Sequence, residues 1–356
     1  MSHVTQLKPI SLSGDPYSIG YCHGLSEGSV IRSFLADDFS HINANRTKKL
    51  PWEKILDRVQ EHKWIIEQDV PLLAKELRGL ADGAGISYDE AILLQMRREI
   101  VGKSSLASGE CSLIAKLEQQ EAVIAQTVDQ NPVMAALGRI FRICSSDQNI
   151  PEILMFSFSG LLGFLGMNSA GLGIGINFVS SDDWKPGVSP YLLIRHLLQL
   201  RSLEECLQAL RQIRRSSSRS FTICDRSHLA IVEMTSDNLR VTRGSKLVRT
   251  NHFLHADFIN LDSMNIFSRN ASKLRLERLR ELVSAQNWET DPERLFEIFS
   301  DHSLYPVGLC AHSEGNARRE DTVAAVILDL HNQTISIRVG HPCKNPTQNF
   351  SLGVVQ

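Results

Sequence analysis

Apolar positions recur at helical spacing through the first hundred residues and at strand spacing from residue 111 onward. After the turn at Gly14-Asp15-Pro16, the stretch Tyr17 to Phe39 predicts a helix. Trp52 to Gln68 predicts an amphipathic second helix, and Pro71 opens a third. The capping-box pattern Ser87-Tyr-Asp-Glu90 announces a fourth over Ala91 to Ile100. The first helix carries Gly20, Gly24 and Gly28, one glycine every fourth residue. Each costs about 1 kcal/mol of helix propensity, so the spacing predicts close packing on that face. Residues 101–109 are small and polar, the composition of an exposed, cleavable linker.

Cys111 then opens the first clear β-hairpin, with arms over 111–117 and 122–128. Strands read at 153–159, 161–167 and 172–178, the last two joined across Asn168-Ser-Ala-Gly171. Helices return at 189–200 and 203–214, followed by strands at 219–224, 228–234 and 239–248. Helices at 268–285 and 292–300 precede a closing hairpin, 322–330 and 333–339, that turns at His331-Asn332. This is an α+β pattern rather than strict βαβ alternation. Ile153 to Ser181 lacks charge, but its six glycines and Asn168 and Asn177 argue for buried strands and tight turns over a membrane helix.

Composition narrows the class without changing the pattern. The 356 residues are 42% hydrophobic and 22% charged, a soluble globular balance with enough chain for a core of ordinary size. A net charge of −2 gives no reason to expect nucleic acid or an anionic membrane as partner. The seven cysteines are scattered without a CxxC pair, which predicts reduced thiols rather than disulfides or zinc spacing. The first ten residues lack the apolar core of a secretory signal, so a cytoplasmic location is expected. His252, His255 and His302 fall outside HxxxH and HExxH spacing, and no metal or cofactor is expected. The arginine-rich stretch Arg211 to Arg219 reads as a solvated helix end and turn.

The candidate chemistry centres on Cys111. A nucleophile at the start of a strand suggests an enzyme that cuts its own chain there. The thiol would attack the Glu110 carbonyl, shift the acyl group to sulfur and release it by hydrolysis. The freed α-amine, with an ordinary pKa of about 8, would then serve as general base to the same thiol. Asp129 closes the second arm, where a carboxylate beside Cys111 could hold the ammonium and orient the thiol; a turn aspartate before Asn131-Pro132 is the alternative. Thr250-Asn251-His252 follows a strand, and the Asn251 amide suits an oxyanion hole or, more plainly, a turn.

These motifs together resemble the acyl-coenzyme A:isopenicillin N acyltransferase family of the N-terminal nucleophile hydrolases. The similar segments run from Gly14-Asp-Pro-Tyr17 and His23-Gly24, through Leu94-Gln-Met-Arg-Arg-Glu-Ile100, Glu110-Cys111-Ser112 and Gln126-Thr-Val-Asp129, to Gly166-Met-Asn-Ser-Ala-Gly-Leu172, Thr250-Asn-His252, Thr322–Asp329 and Gly340-His-Pro-Cys343. The resemblance implies an αββα four-layer sandwich. It also implies self-cleavage into 1–110 and 111–356, two pieces of one folded unit. By motif position Cys111 is nucleophile and new N-terminus, Asp129 orients it, Asn251 donates to the oxyanion, and Asn168 adds a substrate contact. Three departures from the family stand out: Glu110 replaces a usual glycine, Thr127-Val128 replaces Asn-Trp, and Ala311 follows Cys310 where an arginine is usual. Arg318 or Arg319 are the nearest substitutes for that arginine. The reading is an autoprocessed enzyme that hydrolyses or transfers an acyl group at a small N-acyl amide or amino-acid conjugate, with an acyl thioester as a candidate donor. The rival is an unprocessed, silent member that only binds a ligand or partner.

Overall fold

The computed structural model describes residues 6–36, 50–101, 111–119, 121–315 and 319–353. Glu110, nearly all of the expected linker, and Arg318 lie outside them.

Among the described residues a short strand, β1 (Ile10–Gly14), precedes four helices: α1 (Pro16–Ala36), α2 (Trp52–Asp69), α3 (Pro71–Ala84) and α4 (Tyr88–Val101). The glycine face of α1 lies on the main chain of α3. A Cβ at Gly20 would stand 1.8 Å from the Glu76 carbonyl oxygen, and one at Gly79 of α3 would stand 2.0 Å from the Tyr17 carbonyl oxygen. The propensity lost to glycine is thus exchanged for main-chain contact that no side chain could permit. The capping box forms as expected: Ser87 N–H donates to Glu90 Oε2 at 2.7 Å and Glu90 N–H to Ser87 Oγ at 3.2 Å.

The expected hairpin is β2 (Leu113–Glu118) and β3 (Glu121–Gln130). After a 3₁₀ turn over Pro132–Leu137 come β4 (Gly138–Ser145), β5 (Ile153–Phe158), β6 (Leu165–Asn168) and β7 (Gly173–Asn177). Helices α5 (Pro190–Leu197) and α6 (Leu203–Gln212) lead to β8 (Arg219–Cys224), β9 (Leu229–Met234), β10 (Leu239–Arg243) and β11 (Lys246–Arg249). The chain ends with α7 (Ala256–Ile259), α8 (Ile266–Ala285), α9 (Pro292–Phe299), β12 (Asp321–Asp329), β13 (Thr334–Val339) and β14 (Gln348–Ser351).

Two sheets result. One has eight strands in the order β1-β4-β5-β6-β7-β8-β9-β10, the other six in the order β11-β2-β3-β12-β13-β14. All pairs are antiparallel except β1 with β4. The strand expected over 239–248 is therefore two strands. The chain breaks at Gly244-Ser245 and crosses from one sheet to the other, β10 pairing with β9 and β11 with β2.

Alternation along the hairpin sets the layers. Leu113, Ala115, Ile124 and Val128 enter the large core that the two sheets share. Ile114, Val123 and Ala125 face the other way and pack with Leu276, Leu279 and Phe296 of α8 and α9. Helices α1 to α6 join the shared core from beyond the eight-stranded sheet; Gly160, for example, lies under Leu94 and Ile31. The fold is an αββα sandwich. Strands β5, β8 and β9 are buried at every residue, as strands covered on both faces should be. The uncharged stretch after Ile153 forms β5, β6 and β7, and no helix among the described residues is long and apolar enough to cross a membrane.

Candidate active site

Pairing of β11 with β2 brings the candidate residues together. Arg249 lies opposite Leu113, so the next residues of each chain direction, Thr250-Asn251 and Ser112-Cys111, fall side by side. Cys111 N–H donates to Asn251 Oδ1 at 2.8 Å. The Cys111 carbonyl oxygen accepts from Asn177 Nδ2 at 3.3 Å and from Arg275 Nη1 at 3.1 Å. Arg275 also donates to Asn251 Oδ1 at 3.1 Å, through Nη2. The main chain of Cys111 is thus held at both ends by residues from the end of β7, the loop after β11, and α8. Thr127, at one of the positions departing from the family, takes the Ser112 N–H on its hydroxyl at 2.9 Å and so fixes the next residue.

Cys111 is 3% exposed. Burial, with the Asp129 charge nearby, pushes its thiol up to about 12; the Asp129 main-chain N–H and the Gln126 side chain pull the other way by hydrogen bonding to the sulfur. In the intact chain the group is therefore a neutral thiol at neutral pH. Asp129 is fully buried, and its Oδ1 accepts from the Thr322 hydroxyl at 2.6 Å. That hydroxyl in turn accepts from Ala311 N–H at 2.8 Å. Gln126 also reaches across the sandwich, donating to Ile176 O at 2.5 Å and accepting from Ile176 N–H at 3.0 Å.

Asn251 is oriented from both ends of its carboxamide. Its oxygen faces two donors, and its Nδ2 donates to Phe178 O at 3.2 Å. One of its two amide N–H groups is taken by the Phe178 carbonyl in the intact chain, while its oxygen grips the Cys111 nitrogen. His252 is not turned to Cys111: its Nδ1 lies 2.8 Å from Ser272 Oγ, and burial holds its pKa down at about 4. His255 caps α7.

Asn168 stands elsewhere. Its Nδ2 donates to Leu198 O and Leu200 O at 2.9 and 2.7 Å, and its Oδ1 accepts from Ala170 and Leu172 N–H. Its oxygen holds the β6–β7 turn and its nitrogen ties that turn to the chain after α5, at the opposite end of β7 from Asn177, a run of about 16 Å. Asn177, not Asn168, reaches Cys111. Arg319 stacks on Tyr305 and donates to Pro306 O, so it does not stand in for the missing arginine. Arg215 and Arg219, expected in solvent, are buried. Arg215 Nε donates to Thr235 O at 3.1 Å, and the Arg219 guanidinium lies 4.9 Å from the Phe178 ring and 3.8 Å from Glu99.

Arg275 escapes sequence reading because it sits inside a long helix. One signal was present: with Ala271, Ser272, Leu276 and Leu279 it occupies the buried stripe of α8, where an arginine needs partners.

Residues 118–344 match the family described as acyl-coenzyme A:6-aminopenicillanic acid acyl-transferase. Over 350 residues the chain is 24% identical to the acyl-coenzyme A:6-aminopenicillanic-acid-acyltransferase 40 kDa form of Emericella nidulans, covering 96% of this chain and 95% of that protein. It is 26% identical over 205 residues to an uncharacterized protein of Archaeoglobus fulgidus, 50% of this chain and 34% of the other. Among solved structures, penicillin V acylase from Agrobacterium tumefaciens aligns at a TM-score of 0.42 and 14% identity, covering 64% of this chain and 82% of that one. A conjugated bile acid hydrolase from Clostridium perfringens aligns at 0.45 and 13%, covering 68% and 97%. The sandwich itself is read from the two sheets and does not lean on these alignments. The sequence match over residues 118–344 makes the chain a member of the acyl-coenzyme A:6-aminopenicillanic acid acyl-transferase family.

Proposed function

We propose that the chain is a self-processing cysteine enzyme that transfers or hydrolyses the acyl group of a small N-acyl amide. The observation that carries this reading is the grip on Cys111: a buried thiol beside Asp129 whose own main-chain nitrogen is held by Asn251 at 2.8 Å.

In the first step Cys111 Sγ adds to the Glu110 carbonyl carbon. The Glu110–Cys111 C–N bond breaks, the nitrogen takes a proton to become an α-amine, and the acyl group sits on sulfur as a thioester. Water hydrolyses the thioester, leaving a Glu110 carboxylate and a free thiol. Before cleavage that nitrogen is an amide without basicity, and the thiol is neutral, so the intact chain is latent. After cleavage the amine stays in the grip of Asn251 and removes the thiol proton when substrate arrives. Asp129, braced by Thr322, orients the amine and thiol. Arg275 and Asn177 hold the Cys111 carbonyl. Asn251 keeps the amine in place, and the N–H of Nδ2 that Phe178 O does not take is the donor to an oxyanion. Segments 1–110 and 111–356 contribute to one hydrophobic core, which supports their staying together after the cut. The acceptor decides the outcome: water gives hydrolysis, an amine gives transfer. An acyl thioester is a fitting donor because thioester exchange at Cys111 needs no change of nucleophile.

The test is a panel of N-acyl amino acids and acyl thioesters, read by mass for an acyl adduct on the fragment that begins at Cys111. Adducts that vanish in Cys111→Ala support the reading. Substrate turnover that survives Cys111→Ala overturns it.

A further inference from the structure

Away from Cys111, four side chains converge from three parts of the chain. His302 follows α9, Cys310 and His312 lie on the segment before β12, and Cys343 lies between β13 and β14. Their ligand atoms all stand within 4.8 Å of one another. His312 Nε2 is 3.0 Å from His302 Nε2, 3.4 Å from Cys310 Sγ and 3.6 Å from Cys343 Sγ, and the two sulfurs are 3.7 Å apart.

Hydrogen bonding does not account for this arrangement. A neutral imidazole nitrogen has one function, a proton or a lone pair. His312 Nε2 faces three atoms and can satisfy only one of them. A disulfide does not account for it either, since bonded sulfurs stand about 2.05 Å apart. A shared cation does. With metal–sulfur bonds of about 2.3 Å and metal–nitrogen bonds of about 2.0–2.1 Å, a tetrahedron has edges of roughly 3.8 Å between sulfurs, 3.6 Å between sulfur and nitrogen, and 3.3 Å between nitrogens. Four of the six separations fall within a few tenths of an ångström of these edges, and all six lie within 4.8 Å.

We propose that His302, Cys310, His312 and Cys343 bind a zinc ion. Two thiolates and two neutral imidazoles suit a thiophilic d¹⁰ cation, and the two thiolate charges cancel its own. Binding displaces two thiol protons to solvent. Four protein ligands leave no open position, so the ion is structural. Its place in the fold gives it a purpose. Ala311, between two ligands, donates to Thr322 Oγ1 and accepts from Thr322 N–H at 3.0 Å, and Thr322 donates to Asp129. Zinc would pin the 302–312 segment to the β13–β14 connection and thereby hold the hydroxyl that braces Asp129. The ligand spacing matches no compact motif, which is why scattered cysteines and histidines in the sequence hid it.

Full-length, untagged protein purified with reducing agent and desalted should contain about one zinc per chain by elemental mass spectrometry. The double variant Cys310→Ser/Cys343→Ser should contain almost none, and Cys144→Ser, which alters an exposed cysteine elsewhere, should keep it. Cobalt substitution of the wild-type chain should give thiolate-to-cobalt charge transfer and tetrahedral visible bands, a readout independent of whether the variants fold. Chelation should lower Tm, and added zinc should restore it. The proposal is overturned by reduced wild-type protein that takes up no zinc, by equal zinc in wild type and double variant, or by cobalt spectra without thiolate bands. The Cys111 fragment mass is read on the same samples, so failure of zinc binding and failure of self-processing are separate results.

Discussion

Cys111 and Cys310 are both buried, and both lie within electrostatic reach of Asp129, yet their surroundings differ in kind. Around Cys111 the protein spends its polar groups on the main chain: one carboxamide on the nitrogen, a carboxamide and a guanidinium on the carbonyl. The sulfur meets a main-chain N–H and the Gln126 side chain. Around Cys310 the groups converge on the sulfur itself, a second thiol and an imidazole. Burial raises the pKa of both thiols. What separates them is geometry. One environment positions a residue so that its two ends can react; the other surrounds a point about which four donors can close.

The largest effect that breaks this comparison should come from exchanging the two thiols' fates. Cys111→Ala should abolish chain cleavage and lower acyl-transfer or amidase activity by at least roughly a thousandfold. Cys343→Ala should still cleave at 111. Chain cleavage is read on gels and by mass. If the two variants behaved alike, the distinction between nucleophile and ligand would fail.

Next in size are the groups that hold the main chain of Cys111. Asn251→Ala and Arg275→Ala should each slow cleavage by roughly 10- to 100-fold, and each should lower stability by about 1–3 kcal/mol because partners are left buried without them. Cleavage time courses and urea midpoints measure both. Cleavage at wild-type rates in either variant would mean that the grip on Cys111 has no role in the reaction.

Thr322→Val sharpens the comparison, because that hydroxyl links the two regions. Losing a 2.6 Å hydrogen bond to Asp129 should lower kcat roughly tenfold with KM little changed. An unchanged kcat and pH profile would show that Asp129 does not depend on its brace.

The smallest effect belongs to the fold and serves as a control. His23 is buried and its Nε2 accepts the Gly160 N–H at 3.0 Å; burial holds its pKa down at about 3, and His252 is held at about 4. These values lie below the ordinary imidazole value, so the folded state favours the neutral rings. Their contribution is complete above about pH 6.5 and is lost as pH falls toward 4 and 3. Urea midpoints should therefore decline from pH 7 to pH 4, and His23→Gln should start lower and decline less. A flat wild-type profile over that range would contradict the assignment.

Much of this was legible in the chain. The helix-to-strand switch at residue 111, the glycine face of α1 and the Ser87 capping box are local patterns, and local physics produces them. The candidate pair Cys111 and Asp129 was legible because the two belong to one hairpin. What was hidden depends on distant pairing. β1 is five residues long and pairs with β4 across the helical segment, so nothing nearby marks it. Leu247 resumes in the same odd-numbered phase as Leu239 and Val241, so the pattern does not mark the change of sheets at Gly244-Ser245. Asn168 carries a motif whose residues match the family, but the match is to a turn that consumes its side chain. Arg275 is brought to Cys111 only by the packing of α8 on the six-stranded sheet. The His302, Cys310, His312 and Cys343 cluster is assembled from loops that share no spacing rule.

The central claim is that Cys111 cuts its own chain. The intact mass of freshly purified protein, compared with Cys111→Ala, tests it most directly. The wild type should give two fragments, residues 1–110 and a piece whose first residue is Cys111, and the variant should give a single chain of 39.8 kDa. A wild-type chain that stays at the full mass after prolonged incubation under reducing conditions would contradict the account.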